Sequence, residues 1–224
     1  MASLTVENYV KAIFQICASQ SGRPAATGQV AAAMSVSPGT VTSMLKTLQE
    51  SDLVTYTKYE GVQLTQAGKM LALRVLRRHR LIELFLSKTL EMTWDEVHAE
   101  AEHLEHAVSD LLVDRIDSWL GYPKFDPHGD PIPTSEGSLR KNNDARVLVD
   151  YPPGQSFRLA RVLDQSPGFL RYLSTIGLTL GAEATLSEIL PEAGIVTIEI
   201  AGKKMPLAFN MAQKLLVDEP TFVE

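Results

Sequence analysis

SVSPGTVTSMLKTLQESDLVTYTKYEGVQLT, residues 35–65, changes its periodicity halfway along. Ser37 followed by Pro38 is a helix start, since a serine side chain caps the first turn and proline at the first helical position gives up no needed N–H. Val41, Met44, Leu45 and Leu48 then recur at helical spacing as far as Ser51 and Asp52. From Leu53 the residues become β-branched and aromatic, and Glu60-Gly61 supplies a turn, which predicts a two-stranded hairpin.

Upstream, residues 4–19 predict a helix with Tyr9, Ile13, Ile16 and Cys17 on its apolar face. SQSGRPAATG interrupts it, and Thr27 is read as the N-cap of a short helix through Met34. Helix, helix, turn, helix, hairpin is the order of a winged helix-turn-helix, whose second paired helix enters the major groove of DNA. Ser37, Gly39, Thr40, Thr42, Ser43 and Lys46 form the outward face of that helix, and Lys58 and Tyr59 stand at the wing tip; all are candidate DNA contacts. Charge supports this reading. The whole chain carries −6, but residues 1–80 carry +5, residues 81–140 carry −9 and residues 141–224 carry −2. A basic head suits a polyanion and an acidic middle suits cations.

Downstream, a long helical pattern from Thr65 leads to DEVHAEAEHLEH, residues 95–106, which holds five carboxylates and three of the five histidines. A single helix from there to about Leu120 would place His98, Glu102, Glu105 and His106 within about 100° of arc. No lysine lies between Lys88 and Lys124 to relieve the carboxylates, so a divalent cation is the expected counter-charge. His79 and Glu83, four residues apart on the preceding helix, offer a second pair of ligands. Nitrogen and carboxylate donors without thiolate suit Mn(II), Fe(II), Co(II) or Zn(II), with the oxygen-rich balance favouring Mn(II). The chain has no HExxH, GxSxG or GxGxxG motif, so a small metalloenzyme is only an alternative, as is a metal-independent winged-helix regulator. GYPKFDPHGDPIPTSEGS is a loop by its prolines and glycines, and the β-rich runs FRLARVL, GIVTIEI and KMPLAFN suggest a small antiparallel barrel.

ENYVKAIFQI, SPGTVTSMLKTLQESDLV, HRLIELFL, DEVHAEAEHLEH and PHGDPIP, in this order, resemble the diphtheria-toxin-repressor family of metal-dependent transcriptional repressors, especially its manganese-responsive branch. The likeness covers about residues 4–135, and VLDQSPGFLRYLSTIGLTLGAEATL is similar to the SH3-like domain of the longer members. It implies a homodimer on a palindromic operator, with Mn(II), or alternatively Fe(II), as cofactor. It maps one metal position onto Asn8, Glu102, Glu105 and His106, where Glu102 replaces the cysteine of iron-sensing relatives and Asn8 replaces the usual aspartate. A second position maps onto His79, Glu83 and His98, or onto Glu83 with Asp126, His128 and Asp164, with Gln165 another donor.

The expected fold is therefore mainly α with a small β component. It comprises a winged helix-turn-helix over 1–73, a helical metal-binding and dimerisation domain over 74–140, a linker over 141–155 and an SH3-like β-barrel over 156–224. No apolar run reaches the roughly 18 residues of a membrane span and the N-terminus lacks signal-peptide character, so no membrane partner and a cytoplasmic location are expected.

Overall fold

A computed structural model describes residues 3–139 and 145–220. The first residues of the expected 141–155 linker, and the last four of the chain, lie outside those described. The chain divides into two compact units, one holding residues 3–79, 105–108 and 133–139 and the other 80–104, 109–132 and 145–220.

The first unit begins with α1 (Leu4–Ser19), α2 (Thr27–Met34) and α3 (Pro38–Glu50), followed by β1 (Val54–Thr57) and β2 (Gly61–Leu64). Ser37 caps α3 by accepting from Thr40 N at 3.2 Å, with Pro38 at the first position as the sequence predicts. Thr27 is not the cap of α2. Ala26 takes that place, and Gln29 Oε1 accepts from Ala26 N at 2.8 Å, so the terminus is closed by a side chain reaching backwards. Tyr9, Val10, Ile13, Val30, Val41, Leu45, Leu48, Val54 and Val62 close into one core. β1 and β2 pair antiparallel from Val54–Leu64 to Thr57–Gly61, and Ala25 bridges to Val62. Gly61 is required there: its φ is +112° and a Cβ would sit 2.7 Å from Ala25 O.

α4 (Gln66–Leu90) starts where Thr65 Oγ1 accepts from Gly68 N, and its residues beyond His79 belong to the second unit. The expected single helix from 95 to 120 is two helices, α5 (Val97–Leu104) and α6 (Asp110–Trp119). Ser109 caps α6 by accepting from Leu112 N at 3.2 Å, and Asp110 adds negative charge to its first turn; both restart the helix rather than continue it. Leu104 at the end of α5 and Leu111 in the first turn of α6 are 38% and 70% exposed.

The second unit's sheet has six strands in the order β3-β8-β4-β5-β6-β7, comprising β3 (Arg146–Val147), β4 (Ser156–Val162), β5 (Glu183–Leu190), β6 (Ile195–Ile200), β7 (Lys203–Ala208) and β8 (Leu215–Asp218). All its pairings are antiparallel, and register shifts in β4 at Leu159/Arg161 and in β5 at Leu186/Glu188 let the sheet bend. Between β4 and β5 lies α7 (Pro167–Thr175), and α8 (Phe209–Ala212) is a single turn before β8. Phe157, Leu159, Leu170, Leu173, Leu186, Val196 and Val217 form the core, and Trp94 joins it from the segment before α5. Among the described residues no helix is long and apolar enough to cross a membrane.

Candidate metal centre and nucleic-acid face

In the first unit, α1, the end of that unit's part of α4 and the 105–108 segment bring Glu7, Lys11, Arg78, His79, Glu105 and His106 together. Glu105 is fully buried, with Oε2 2.6 Å from His79 Nδ1 and Oε1 2.6 Å from Lys11 Nζ. Burial pushes its carboxyl pKa up, but the His79 hydrogen bond and the Lys11 charge outweigh that and hold it below the usual value. His106 Nδ1 bonds Glu7 Oε2 at 2.7 Å, while its Nε2 lies 3.1 Å from Glu105 Oε1 without making a hydrogen bond. Arg78 Nη1 stands 3.6 Å from Glu7 Oε1. Asn8 Oδ1 is buried and accepts no hydrogen bond.

In the second unit, Glu83, Asp126 and His128 are all buried, and each places a donor atom within 4.8 Å of the others. His128 Nε2 is 2.7 Å from Trp94 O, and Nδ1 is 3.7 Å from Glu83 Oε2 with no hydrogen bond. Burial disfavours the charged imidazole, yet Glu83, Asp126 and the Trp94 carbonyl together raise its pKa. Asp126 Oδ1 accepts from the backbone N–H groups of His128 and Asp130 at 2.8 and 2.9 Å, which folds the loop into a tight turn. Its Oδ2 makes no hydrogen bond, and Arg80 Nε is 3.6 Å away. Desolvation, then the neighbouring Asp130 and Glu83 charges, push Asp126 up to about 7.

The same loop is fixed to β4. Val162 N donates to His128 O at 3.0 Å, and Asp130 holds Arg161, Arg80 and the Gln165 amide. Gly129, at φ +84°, lies so close to β4 that a Cβ would meet Ala160 O at 2.1 Å. His98 Nδ1 is 3.1 Å from Glu83 Oε1, and its Nε2 is 3.8 Å from Glu102 one turn along α5.

Two readings of the sequence need correction. Glu105 and His106 lie beyond α5, so the four-residue ligand face of one helix does not exist; fold, not helical phase, positions those two. Positive charge reaches the acidic stretch from residues distant in sequence, Lys11 on Glu105 and Arg171 on Asp95. Asp164 is occupied by Lys214 Nζ at 2.7 Å and by Ser166 N at 2.9 Å, and it is not among the clustered donors of the second unit; Gln165 bonds Asp130. Glu7, Lys11, Trp94, Arg80 and Asp130 were not expected at the sites. Glu7 and Asp130 are visible afterwards as acids within one or two residues of expected ligands, whereas Trp94 acts through its carbonyl and has no side-chain signal.

Two nitrogen–carboxylate contacts share one chemistry. His106 and His128 each have one ring nitrogen anchored on an oxygen and the other facing a buried carboxylate without a hydrogen bond. Anchoring the far nitrogen orients an imidazole and raises its basicity, the usual support for a metal-ligating histidine. Asp126 Oδ2 is orphaned within the His128 cluster, and Asn8 Oδ1 is orphaned on α1 next in sequence to Glu7; donors of these types fit a hard divalent cation.

On the head, Ser37, Gly39, Thr40, Ser43 and Lys46 are exposed and Thr42 is half-buried. Thr42 and Ser43 donate their hydroxyl protons to Pro38 O and Gly39 O, leaving oxygen lone pairs outward. Lys58 stacks over Tyr59 at 4.8 Å, and Tyr59, at φ +73°, is 92% exposed at the wing tip.

Comparison with known proteins adds three domain matches: an iron-dependent repressor N-terminal DNA-binding domain over residues 1–62, an iron-dependent repressor metal-binding and dimerisation domain over 65–134, and a FeoA domain over 146–219. A solved manganese-dependent transcriptional repressor in complex with manganese is 36% identical, covering 96% of this chain and 99% of its own, at a TM-score of 0.84. The iron-dependent repressor IdeR of Mycobacterium tuberculosis is 26% identical over 96% of this chain and 97% of that protein. The diphtheria toxin repressor of Corynebacterium efficiens is 27% identical over 96% and 95%. The chain thus belongs to the iron-dependent repressor family of metal-dependent transcriptional repressors, in the form that carries a C-terminal FeoA domain.

Proposed function

We propose that this protein represses transcription as a homodimer on a palindromic operator when Mn(II) is bound, with Fe(II) as the alternative metal. The proposed domain plan is a DNA-reading head over 1–73, a metal-binding and dimerising region over 74–140 and an SH3-like domain over 156–224, joined by the linker 141–155. The work is regulatory, and a cytoplasmic location follows from the operator.

The observation that carries the metal reading is the twice-repeated anchored histidine, His106 on Glu7 and His128 on Trp94. One proposed donor group is Glu105 and His106 with Asn8 Oδ1, and Glu102 is added by resemblance. The other is Glu83, His98, Asp126 and His128, with His79 one turn before Glu83 on α4. Oxygen donors outnumber nitrogen in the first, the second mixes two carboxylates with imidazoles, and thiolate is absent from both, which favours Mn(II) over softer ions. A divalent cation supplies positive charge among carboxylates that otherwise depend on protons and basic side chains. Asn8 lies on α1 and His106 in the 105–108 segment, so ligation ties the head's first helix to that segment.

Ser37, Gly39, Thr40, Thr42, Ser43 and Lys46 are the proposed groove contacts and Lys58 and Tyr59 the proposed wing contacts. With lone pairs outward and only Lys46 as a long cationic reader, direct readout is modest and DNA shape contributes much of the specificity. Selection from a random-duplex pool tests the proposal: Mn(II) should enrich two-fold-symmetric sequences and chelator should enrich none. Equal enrichment with chelator would establish a metal-independent regulator instead.

A further inference from the structure

We propose that Lys11 sets the metal affinity of the Glu105 group by acting as a tethered competing cation: its ammonium sits on Glu105 and leaves when a divalent ion binds. The proposal rests on the reading of Glu105 and His106 as ligands. Lys11 Nζ lies 2.6 Å from Glu105 Oε1, their side chains are 9% and 0% exposed, and 94 residues separate them in the chain. A contact so short and so buried is not an incidental surface ion pair. Its charges have been taken out of water and are stabilised chiefly by one another and by the groups around them.

The oxygen concerned is the one that faces His106. Oε1 is 2.6 Å from Lys11 Nζ and 3.1 Å from His106 Nε2, so the ammonium stands at the place where an imidazole and a carboxylate oxygen converge. An ammonium and a divalent ion sharing that oxygen would repel each other at contact range in a dry setting. Lysine suits an exchangeable role, because its charge is a compact point on a flexible four-carbon stem that can swing to water. The stem belongs to α1, one turn after Glu7 and Asn8, so the exchange replaces one α1 contact to Glu105 by another through the ion. Two consequences follow. The group stays neutralised and folded at low metal, and the free-metal concentration needed to fill it is raised by the competition.

The test uses the full chain and Mn(II) alone as the probe. Acetylation of wild-type lysines, read by peptide mass spectrometry, should show Lys11 modified severalfold faster when Mn(II) is added; unchanged Lys11 labelling would overturn the proposal. In an Asp126→Asn background, which removes a donor from the other group, Lys11→Met should bind Mn(II) at least tenfold tighter than Lys11 itself, by chelator competition. Lys11→Arg, keeping a cation on the stem, should bind more weakly than Lys11→Met. Equal or weaker binding by Lys11→Met would overturn the proposal while leaving Glu105 as a ligand. Failure of the Asp126→Asn protein to bind Mn(II) at all, with Glu105→Gln making no further difference, would overturn the ligand reading itself. Lys11 labelling on the wild type needs no variant to fold.

Discussion

His128 Nε2 lies 2.7 Å from the Trp94 carbonyl, and that bond leaves Nδ1 directed at Glu83, 3.7 Å from Oε2. Trp94 is itself fixed, its indole nitrogen donating to Ser174 Oγ at 2.9 Å and its ring lying in the core beside β-sheet residues. The orientation of the nitrogen proposed to face the metal is thus inherited from the packing of a tryptophan in the sheet domain's core. This relates the FeoA domain to the proposed metal chemistry through backbone and packing, without requiring a ligand from it.

If His106 is a ligand as proposed, the matching contact in the first unit gives Glu7 the role of positioning it. Glu7→Ala should lower Mn(II) affinity about 10- to 100-fold, the usual cost of losing the partner that orients a ligating histidine. Glu7→Gln, which can still accept from His106 Nδ1, should recover much of it. Competition with a fluorescent chelator measures both; unchanged affinity in Glu7→Ala would remove Glu7 from the account.

Stability of the metal-free protein should fall as pH rises from about 4 to 7. Asp126 is raised to about 7 from 3.8, so across that interval the native state holds a proton that the unfolded chain has released. His128, also raised, acts in the same direction: its contribution is complete below the unfolded value of 6.5 and is lost as pH passes the folded value. Glu105, lowered, affects only the range below 4.5, where stability is lost as pH falls through its folded pKa. Asp126→Asn should therefore flatten the slope and leave the metal-free protein more stable than wild type at pH 8. Urea denaturation at pH 5.5 and 8 reads this; an unchanged slope would contradict the assignment.

The matched dimerisation domain leaves apolar side chains on α6 in water. Leu111 is 70%, Leu112 48% and Trp119 63% exposed, and Phe85 meets Trp119 edge-on at 5.8 Å. Leu111→Asp removes an exposed leucine, so it should spare the monomer's fold, yet each substitution counts twice across a two-fold interface. Losing about 1.5–3 kcal/mol of burial per side chain, twice per dimer, it should weaken dimerisation by about 100- to 10,000-fold. Sedimentation equilibrium gives the answer, and an unshifted dimer would place the interface elsewhere.

At the wing, Lys58→Ala should weaken binding to every duplex alike and reduce the slope of log affinity against log salt by about 0.9. A loss confined to one sequence would instead make Lys58 a base reader.

The head was legible because its signals are local: Ser37-Pro38, the 41-44-45-48 spacing and Glu60-Gly61 each act within a few residues. The sheet domain was half legible. FRLARVL, GIVTIEI and KMPLAFN supply β4, β6 and β7, although Phe209 and Asn210 already belong to α8; β5 and β8 had no distinguishing pattern, and α7 follows from Ser166-Pro167 only once its neighbours are known. The donor residues were visible by type, yet their grouping was not. His98 and Glu102 do share α5, whereas Glu105 and His106 follow the break before Ser109, where helical phase no longer applies. Glu7–His106 and Lys11–Glu105 span more than 90 residues, and no periodicity reports such pairs.

Fluorescence anisotropy of the selected palindromic duplex, with Mn(II) buffered by chelator across a range of free concentrations, tests most directly whether a divalent cation governs DNA binding. The account predicts at least a tenfold gain in affinity as Mn(II) rises, reversed on chelation, and lost in a Glu105→Gln, Asp126→Asn double variant. An affinity independent of free Mn(II) in the wild-type protein would contradict it.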